Sequence, residues 1–181
     1  FLMLFFGLES ANDRILSIID KGCDQATEKR VLGNSSLAGI WNHLYLFFGF
    51  PTEEKHEAQE TIDFTIHHGE LGEGTIHSIG QSIFSLEKDS AIYHNPAKFQ
   101  INKILHDPDR DMAIIFDYEI EKGMSKDEVL DVYENFEKII ESNFPSRSIW
   151  NYLSREHFLL YLDHYGREEI LNMARPLTQS T

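Results

Sequence analysis

The chain has 181 residues, and 30 Asp and Glu residues against 16 Lys and Arg residues give it a formal net charge of −14. The basic residues are scattered among acidic neighbours, which argues against nucleic acid as a partner, because phosphate binding relies on clustered Lys and Arg. The longest apolar runs, residues 1–6 and 44–48, are far shorter than the ~18 residues of a membrane span. The sequence therefore predicts a globular protein with no membrane partner.

Cysteine content bears on the compartment. Cys23 is the only cysteine, so no intrachain disulfide can form, and nothing in the sequence suggests export. We therefore expect a cytoplasmic protein. The sequence opens on an apolar segment without an initiator Met, from which we expect the chain to be a piece of a longer polypeptide.

Apolar strands and helical segments alternate over the first 84 residues. Buried strands are predicted at residues 2–8, 40–48 and 75–84. Helices are predicted between them, one starting at a Ser10 cap, one over residues 25–38 and one opening at Thr52. The connections are long enough for parallel pairing, so the pattern predicts an α/β unit with its strands parallel and in chain order.

Residues 85–181 show a different pattern. Residues 85–109 are predicted to be irregular, and residues 112–120 alternate weakly, as an edge strand does. Helices are predicted at Ser125–Asn143, where Ser125 and Glu128 form a capping box, and at Ser154–Tyr165. Residues 176–181 are predicted to be frayed. This part is therefore predicted to be a mainly helical extension.

Residues with reactive or metal-binding side chains form no known motif. His67 and His68 are adjacent and are expected to point apart on a helix, and no paired His or Cys spacing typical of metal sites occurs. We therefore predict no metal site. A lone cysteine beyond a helix end, and the absence of a nucleophile elbow or phosphate loop, leave the catalytic residues unknown.

Two glycine turns follow predicted strands, at residues 7–10 and 49–51. Ligands of parallel βα folds collect at the carboxyl ends of the strands. A glycine after a strand also has an ordinary use in turn formation. The residues alone leave both interpretations open, a ligand site or turn chemistry.

Five short blocks resemble the second half of a radical S-adenosylmethionine (SAM) domain in order and spacing. They are Phe6–Ser10, Arg14–Leu16, Asp20–Gly22, Ala38–Ile40 and Phe48–Glu53. The chain is most similar to the group in which a cobalamin-binding domain often precedes the radical SAM domain. The resemblance is strongest over residues 5–90, and it implies that residues 1–84 form the last three strands of a partial, TIM-like (βα)6 barrel.

The same resemblance implies the cofactors and the partner. The family binds a 4Fe–4S cluster through a C-x3-C-x2-C loop, which a chain with one cysteine cannot supply. SAM and the cluster are therefore expected in the full-length iron–sulfur oxidoreductase-like enzyme, with none bound to this chain, and the use of cobalamin stays open. The expected partner is the missing amino-terminal half of the barrel. The alternatives are a non-catalytic α/β binding or scaffold module derived from that barrel, and a flavodoxin-like binding protein, which explains none of the blocks.

The resemblance also implies binding roles for particular residues. It places Glu9 on the ribose of SAM, Lys21 on the methionyl carboxylate and Tyr45 at a second ribose contact. Gly7 and Ser10 belong to the same turn as Glu9. The residues expected to border the adenine are Phe48, Gly49, Phe50, Pro51 and Ile79. Lys21 has an ordinary alternative, a solvated charge near a helix end, and Thr52 stands where the family usually has glycine.

The missing strands leave the strand at residues 2–8 without a neighbour on one side. An uncovered edge exposes backbone groups and apolar side chains. We expect another copy of the chain, through self-association, or the carboxyl-terminal segment to cover this edge.

Overall fold

The computed structural model describes residues 3–107, 112–144, 154–166 and 168–170. These residues form a mixed α/β fold with two three-stranded sheets and no closed barrel. The strands are β1 (Met3–Glu9), β2 (Trp41–Phe48), β3 (Ser78–Ile83), β4 (Leu86–Glu87), β5 (Ile101–Leu105) and β6 (Ile115–Ile120). The helices are α1 (Asp13–Ile18), α2 (Gln25–Leu37), α3 (Lys55–His68), α4 (Ala91–His94), α5 (Lys126–Asn143) and α6 (Arg155–Tyr165), with a 3-10 turn at Pro96–Phe99.

The first sheet is parallel, in the order β1-β2-β3, which confirms the prediction of parallel strands in chain order. Helices α1 and α2 connect β1 to β2, and α3 connects β2 to β3. The third strand starts later than predicted. The reason is that the backbone N–H groups of Thr75 and Ile76 donate to the carbonyl of His68 at the end of α3, so these residues finish the helix cap before the chain enters the sheet.

The two faces of the first sheet have different surroundings. Alternate residues of β2, Leu44, Leu46 and Phe48, are fully buried in the core beside the helices. Helix α5 packs into this same core, where the rings of Phe48 and Phe136 meet edge to face at 5.1 Å. Helix α5 begins with the predicted capping box of Ser125 and Glu128. The segment predicted as an extension therefore contributes to the core under the parallel sheet.

The second sheet is antiparallel, in the order β4-β6-β5. The prediction of an edge strand at residues 112–120 is wrong, because β6 lies between two partners. The stretch predicted to be irregular contains β4, β5 and α4. A buried cluster that includes Phe50, Leu86 and Phe99 joins this sheet to the turn after β2. The extension is thus part sheet and part helix.

Helix α6 covers one end of the first sheet. Its Phe158 and Leu162 pack with Trp41 and Met3, at the amino ends of the strands. Phe5, further along β1, stays exposed. Residues 176–181, predicted to be frayed, lie outside the described residues. None of the helices in the described part of the chain has the length and apolar character that a membrane crossing requires.

Candidate functional site

The turn at the end of β1 folds a carboxylate back over the strand. The register with β2 shifts between Gly7 and Glu9, and Glu9 adopts a left-handed φ of 68°. A Cβ at Gly7 would come within 2.5 Å of Glu9 Oε1 and 3.1 Å of Lys21 Nζ. The two charged groups therefore occupy the space that a side chain at position 7 would take, and a larger residue there would displace them.

Glu9 and Lys21 form an ion pair in the structure. Lys21 Nζ donates to Glu9 Oε1 at 3.2 Å, and the side chains of Lys21 and Glu9 are 27% and 29% exposed, respectively. The resemblance implied that the two residues contact different parts of one ligand, and the structure brings them together. A ligand that uses both groups must share or replace this ion pair.

Tyr45 lies next to the ion pair, on the surface that we call the open face, formed by Phe5, Gly7, His43, Tyr45 and Gly80. Register partners in parallel strands share a face, and Tyr45 pairs with Gly7 on one side and Gly80 on the other. A Cβ at Gly80 would lie 2.9 Å from two carbons of the Tyr45 ring. The ring of His43 lies 4.6 Å from that of Tyr45, and the ring of Phe5 lies 6.1 Å from it. The open face therefore combines flat aromatic rings with a carboxylate and an ammonium group.

Other predicted binding residues lie elsewhere. Phe48 is in the core beside the helices, and Ile79 is there too, since it pairs with Leu44 in the sheet. Ser10 is buried with its hydroxyl 3.2 Å from that of Thr61, and the cap of α1 is Asn12 instead of the expected Ser10. The structure therefore gives Ser10, Phe48 and Ile79 packing contacts away from the open face. The buried Phe50 and Pro51 belong to the turn after β2.

The turn after β2 is held by a buried carboxylate. Gly49, at a φ of 80°, donates its N–H to Glu53 Oε2 at 2.6 Å. A Cβ at Gly49 would meet Val129 Cγ1 at 2.6 Å, so glycine is required here for space as well as for conformation. Gly49 also lines a largely apolar cavity of about 410 Å³ between β3, β6 and α5. Tyr118, another residue of its lining, donates to the carbonyl of Gly49 at 3.4 Å.

Thr52 has a left-handed φ of 78°, an uncommon conformation for a β-branched residue. Arg14 holds it there by donating from Nη1 to Thr52 Oγ1 at 3.1 Å and from Nη2 to the Thr52 carbonyl at 2.8 Å. The same guanidinium pairs with both carboxylate oxygens of Glu57. Burial opposes ionisation of Glu57, yet the Arg14 guanidinium keeps the pKa of that carboxyl below its ordinary value. Helix α3 starts after Glu54, later than the predicted opening at Thr52.

Two buried acidic residues, Glu53 and Glu28, were not identified from the sequence. Burial raises the pKa of Glu53 to about 7, and that of Glu28 to about 8. Glu53 Oε1 and Glu28 Oε2 have no hydrogen-bond partner among the described residues. Glu28 lines a cavity of about 220 Å³ with Lys21 and Cys23. The spacing of Glu28 and the buried Leu32, one helical turn apart, is a sequence signal that could have identified Glu28 as inward facing.

The expectation that His67 and His68 point apart is wrong. Both imidazoles contact the carboxylate of Glu73, which follows in the glycine-rich loop after α3. The sequence pattern gave no sign of this contact, because it depends on how the loop folds back.

No protein-family model matches the chain, and no curated protein matches it. The fold and the side chains at the carboxyl ends of the parallel strands are therefore the observations from which a function can be inferred. They define a parallel α/β unit whose open face carries aromatic rings and a half-buried pair of opposite charges.

Proposed function

We propose that this chain contributes the SAM-binding second half of a radical SAM barrel, as part of an iron–sulfur oxidoreductase-like enzyme. The observation that carries the proposal is the placement of Glu9, Lys21 and Tyr45 beside one another around Gly7, at the end of β1 and on the adjoining part of β2. The parallel order β1-β2-β3 agrees with the last three strands of such a barrel. The resemblance places the nucleoside of the ligand at Glu9 and Tyr45, and its methionyl group at Lys21.

The donor set suits an adenosyl ligand. A carboxylate such as Glu9 can accept hydrogen bonds from two ribose hydroxyls, and the Lys21 ammonium can bind a carboxylate. The rings of Phe5 and Tyr45 offer flat apolar surface. In the complete enzyme SAM and the cluster supply the radical chemistry, whereas the residues of this chain bind and orient the nucleoside and exclude water.

The cluster does not fit this chain. Three thiolates are needed, and the sequence has one cysteine, Cys23, whose Sγ lies 3.8 Å from Glu28 Oε1. The proposal therefore assigns the cluster to the amino-terminal half of the barrel. Among the described residues β1 pairs with β2 alone. The other edge of β1 is where the preceding strand of the barrel would pair.

The upstream coding sequence provides the first test. We expect the complete reading frame to encode three further βα units and a C-x3-C-x2-C motif. A complete reading frame without that cysteine motif would overturn the catalytic proposal. It would leave the alternative, a non-catalytic binding or scaffold module with the same half-barrel.

SAM affinity provides the second test, in the complete, cluster-loaded protein. A charge-assisted hydrogen bond contributes about 1.5–3 kcal/mol, so Glu9→Ala or Lys21→Ala should weaken SAM binding about ten- to a hundred-fold. Matched controls are Glu87→Ala and Lys88→Ala, which remove the same charges from exposed positions. Equal affinity in the site variants and the controls would refute the assignment of Glu9 and Lys21.

The isolated chain gives a complementary measurement. Without the cluster iron, which the amino and carboxylate groups of SAM chelate in the family, the remaining contacts are few. Calorimetric titration of SAM into this chain should therefore show no binding at micromolar ligand. Micromolar affinity would mean that the half-barrel is a nucleoside site by itself, and that the cluster is not the main source of binding energy.

A further inference from the structure

The loop after α3 folds back onto the end of the helix and fixes Glu73 beside two histidines. The backbone N–H of Glu73 donates to the His67 carbonyl at 2.9 Å, and Gly74 N–H donates to the Gly69 carbonyl at 2.9 Å. A Cβ at Gly72 would lie 2.1 Å from the His67 carbonyl oxygen, so glycine is required for this close return of the chain. The position of Glu73 is therefore set by the backbone as well as by its side chain.

The three side chains bring two nitrogens and a carboxylate to one place. His68 Nδ1 lies 2.7 Å from Glu73 Oε2, and His67 Nε2 lies 3.2 Å from Glu73 Oε1. One donor atom from each residue can be chosen so that all lie within 4.8 Å of one another. His68 is 5% exposed at its side chain, whereas His67 is 63% and Glu73 44% exposed. One ligand is thus fixed by packing, and the other two can adjust.

We propose that His67, His68 and Glu73 bind one divalent transition-metal ion of the zinc class. Two imidazoles and one carboxylate are a donor set that suits zinc and its transition-metal neighbours, whereas Mg²⁺ and Ca²⁺ favour sites made of oxygen ligands. The site lies at the carboxyl end of the 14-residue helix α3, where the helix dipole stabilises positive charge. Three protein ligands leave a coordination position for water.

Binding requires a small closure of the exposed ligands. With metal–nitrogen bonds of about 2.0–2.1 Å in a tetrahedral site, the two histidine nitrogens must come to within roughly 3.4 Å of each other. Rotation of the exposed His67 and Glu73 side chains can provide this closure, because neither is packed in the core. Lys29 Nζ lies 4.0 Å from Glu73 Oε1, so its charge competes with the ion and moves into solvent when the ion binds.

The test uses the whole chain and Zn²⁺ in competition with a chromophoric chelator. We expect one Zn²⁺ per chain, and at least about tenfold weaker binding in His67→Gln and in Glu73→Gln, since each loses one of three ligands. The matched control is His56→Gln, because His56 lies in the same helix and pairs with a carboxylate, Glu54, without a second imidazole. Lys29→Ala should bind Zn²⁺ several-fold more tightly.

Two further measurements separate this site from adventitious binding to the other histidines. Co²⁺ bound to the wild-type chain should give the visible absorption bands of a four-coordinate ion, and His67→Gln should lose them. Mg²⁺ should not displace Zn²⁺. The proposal is overturned if the wild-type chain does not bind one Zn²⁺, or if His67→Gln and His56→Gln bind it equally well. Both substitutions are at exposed positions, and circular dichroism will show that the variants are folded.

Discussion

Replacement of the buried Glu53 by glutamine should remove the part of the pH dependence of stability that comes from ionisation of this side chain. Glu53 is fully buried, its Oε2 accepts the Gly49 N–H, and its Oε1 has no partner among the described residues. Glutamine has nearly the same shape as the protonated acid, and its amide oxygen can accept the same hydrogen bond. The Glu53→Gln variant should therefore be close to the wild type in stability at low pH, where Glu53 carries its proton.

The magnitude follows from the raised pKa. Burial raises the pKa of Glu53 from its ordinary value of 4.5 to about 7. Between these two values the unfolded chain has released the proton and the folded protein has kept it, so the free energy of unfolding falls as the pH rises. Each pH unit in that window corresponds to about 1.4 kcal/mol, which gives a total loss of about 3 kcal/mol. The glutamine variant has no such loss.

Urea denaturation followed by circular dichroism at pH values from 4 to about 8.5 measures this difference. Relative to the wild type, the Glu53→Gln variant should gain about 3 kcal/mol between the low and the high end of that range. Glu141→Gln, which makes the same chemical change at an exposed position of α5, is the control and should leave the curve nearly unchanged. Parallel curves for wild type and Glu53→Gln would show that Glu53 ionises in the folded protein as it does in water.

The remaining predictions also concern the turns at the ends of the strands. Gly49→Ala should destabilise the fold by at least about 2 kcal/mol, because of the positive φ and the contact with Val129. Its control, Gly33→Ala in α2, has open space around the new Cβ and should stabilise by up to about 1 kcal/mol. Arg14→Met should cost about 2 kcal/mol, since it leaves the buried Glu57 carboxylate unpaired, and the loss should shrink when Glu57→Leu is added. Urea denaturation at pH 7 checks all of these, and equal stabilities of Gly49→Ala and Gly33→Ala would contradict the first.

The parallel sheet could be predicted from the sequence because its signals are local. The first two strands are long, mainly apolar runs, and the connections between the three predicted strands have the length and spacing of helices. The antiparallel sheet could not be predicted in the same way. Strand β4 has two residues, and its pairing with β6 joins Leu86 to Phe116 across 30 positions of sequence. Short strands with distant partners leave little periodicity in the sequence.

The candidate site was predicted in part for a similar reason. The place of Glu9 at a strand end follows from the local pattern, whereas Tyr45 was selected only through the resemblance. The ion pair of Glu9 with Lys21 depends on how the chain returns after α1, and the meeting of His67 with Glu73 depends on a loop that folds back on its helix. Such contacts are set by tertiary structure, so no spacing rule applied to the sequence detects them.

Backbone strain gives a final argument about the strand ends. Glu9 and Thr52 both hold a positive φ without being glycine, a conformation that costs about 1–3 kcal/mol for such residues. Glycine, which Gly49 supplies at the end of β2, would avoid the cost. At Glu9, however, glycine would also remove the carboxylate that pairs with Lys21. The strain at Glu9 therefore accompanies a charged group that glycine would not provide, and the SAM affinity of Glu9→Ala in the complete protein decides between a ligand site and turn chemistry at the end of β1.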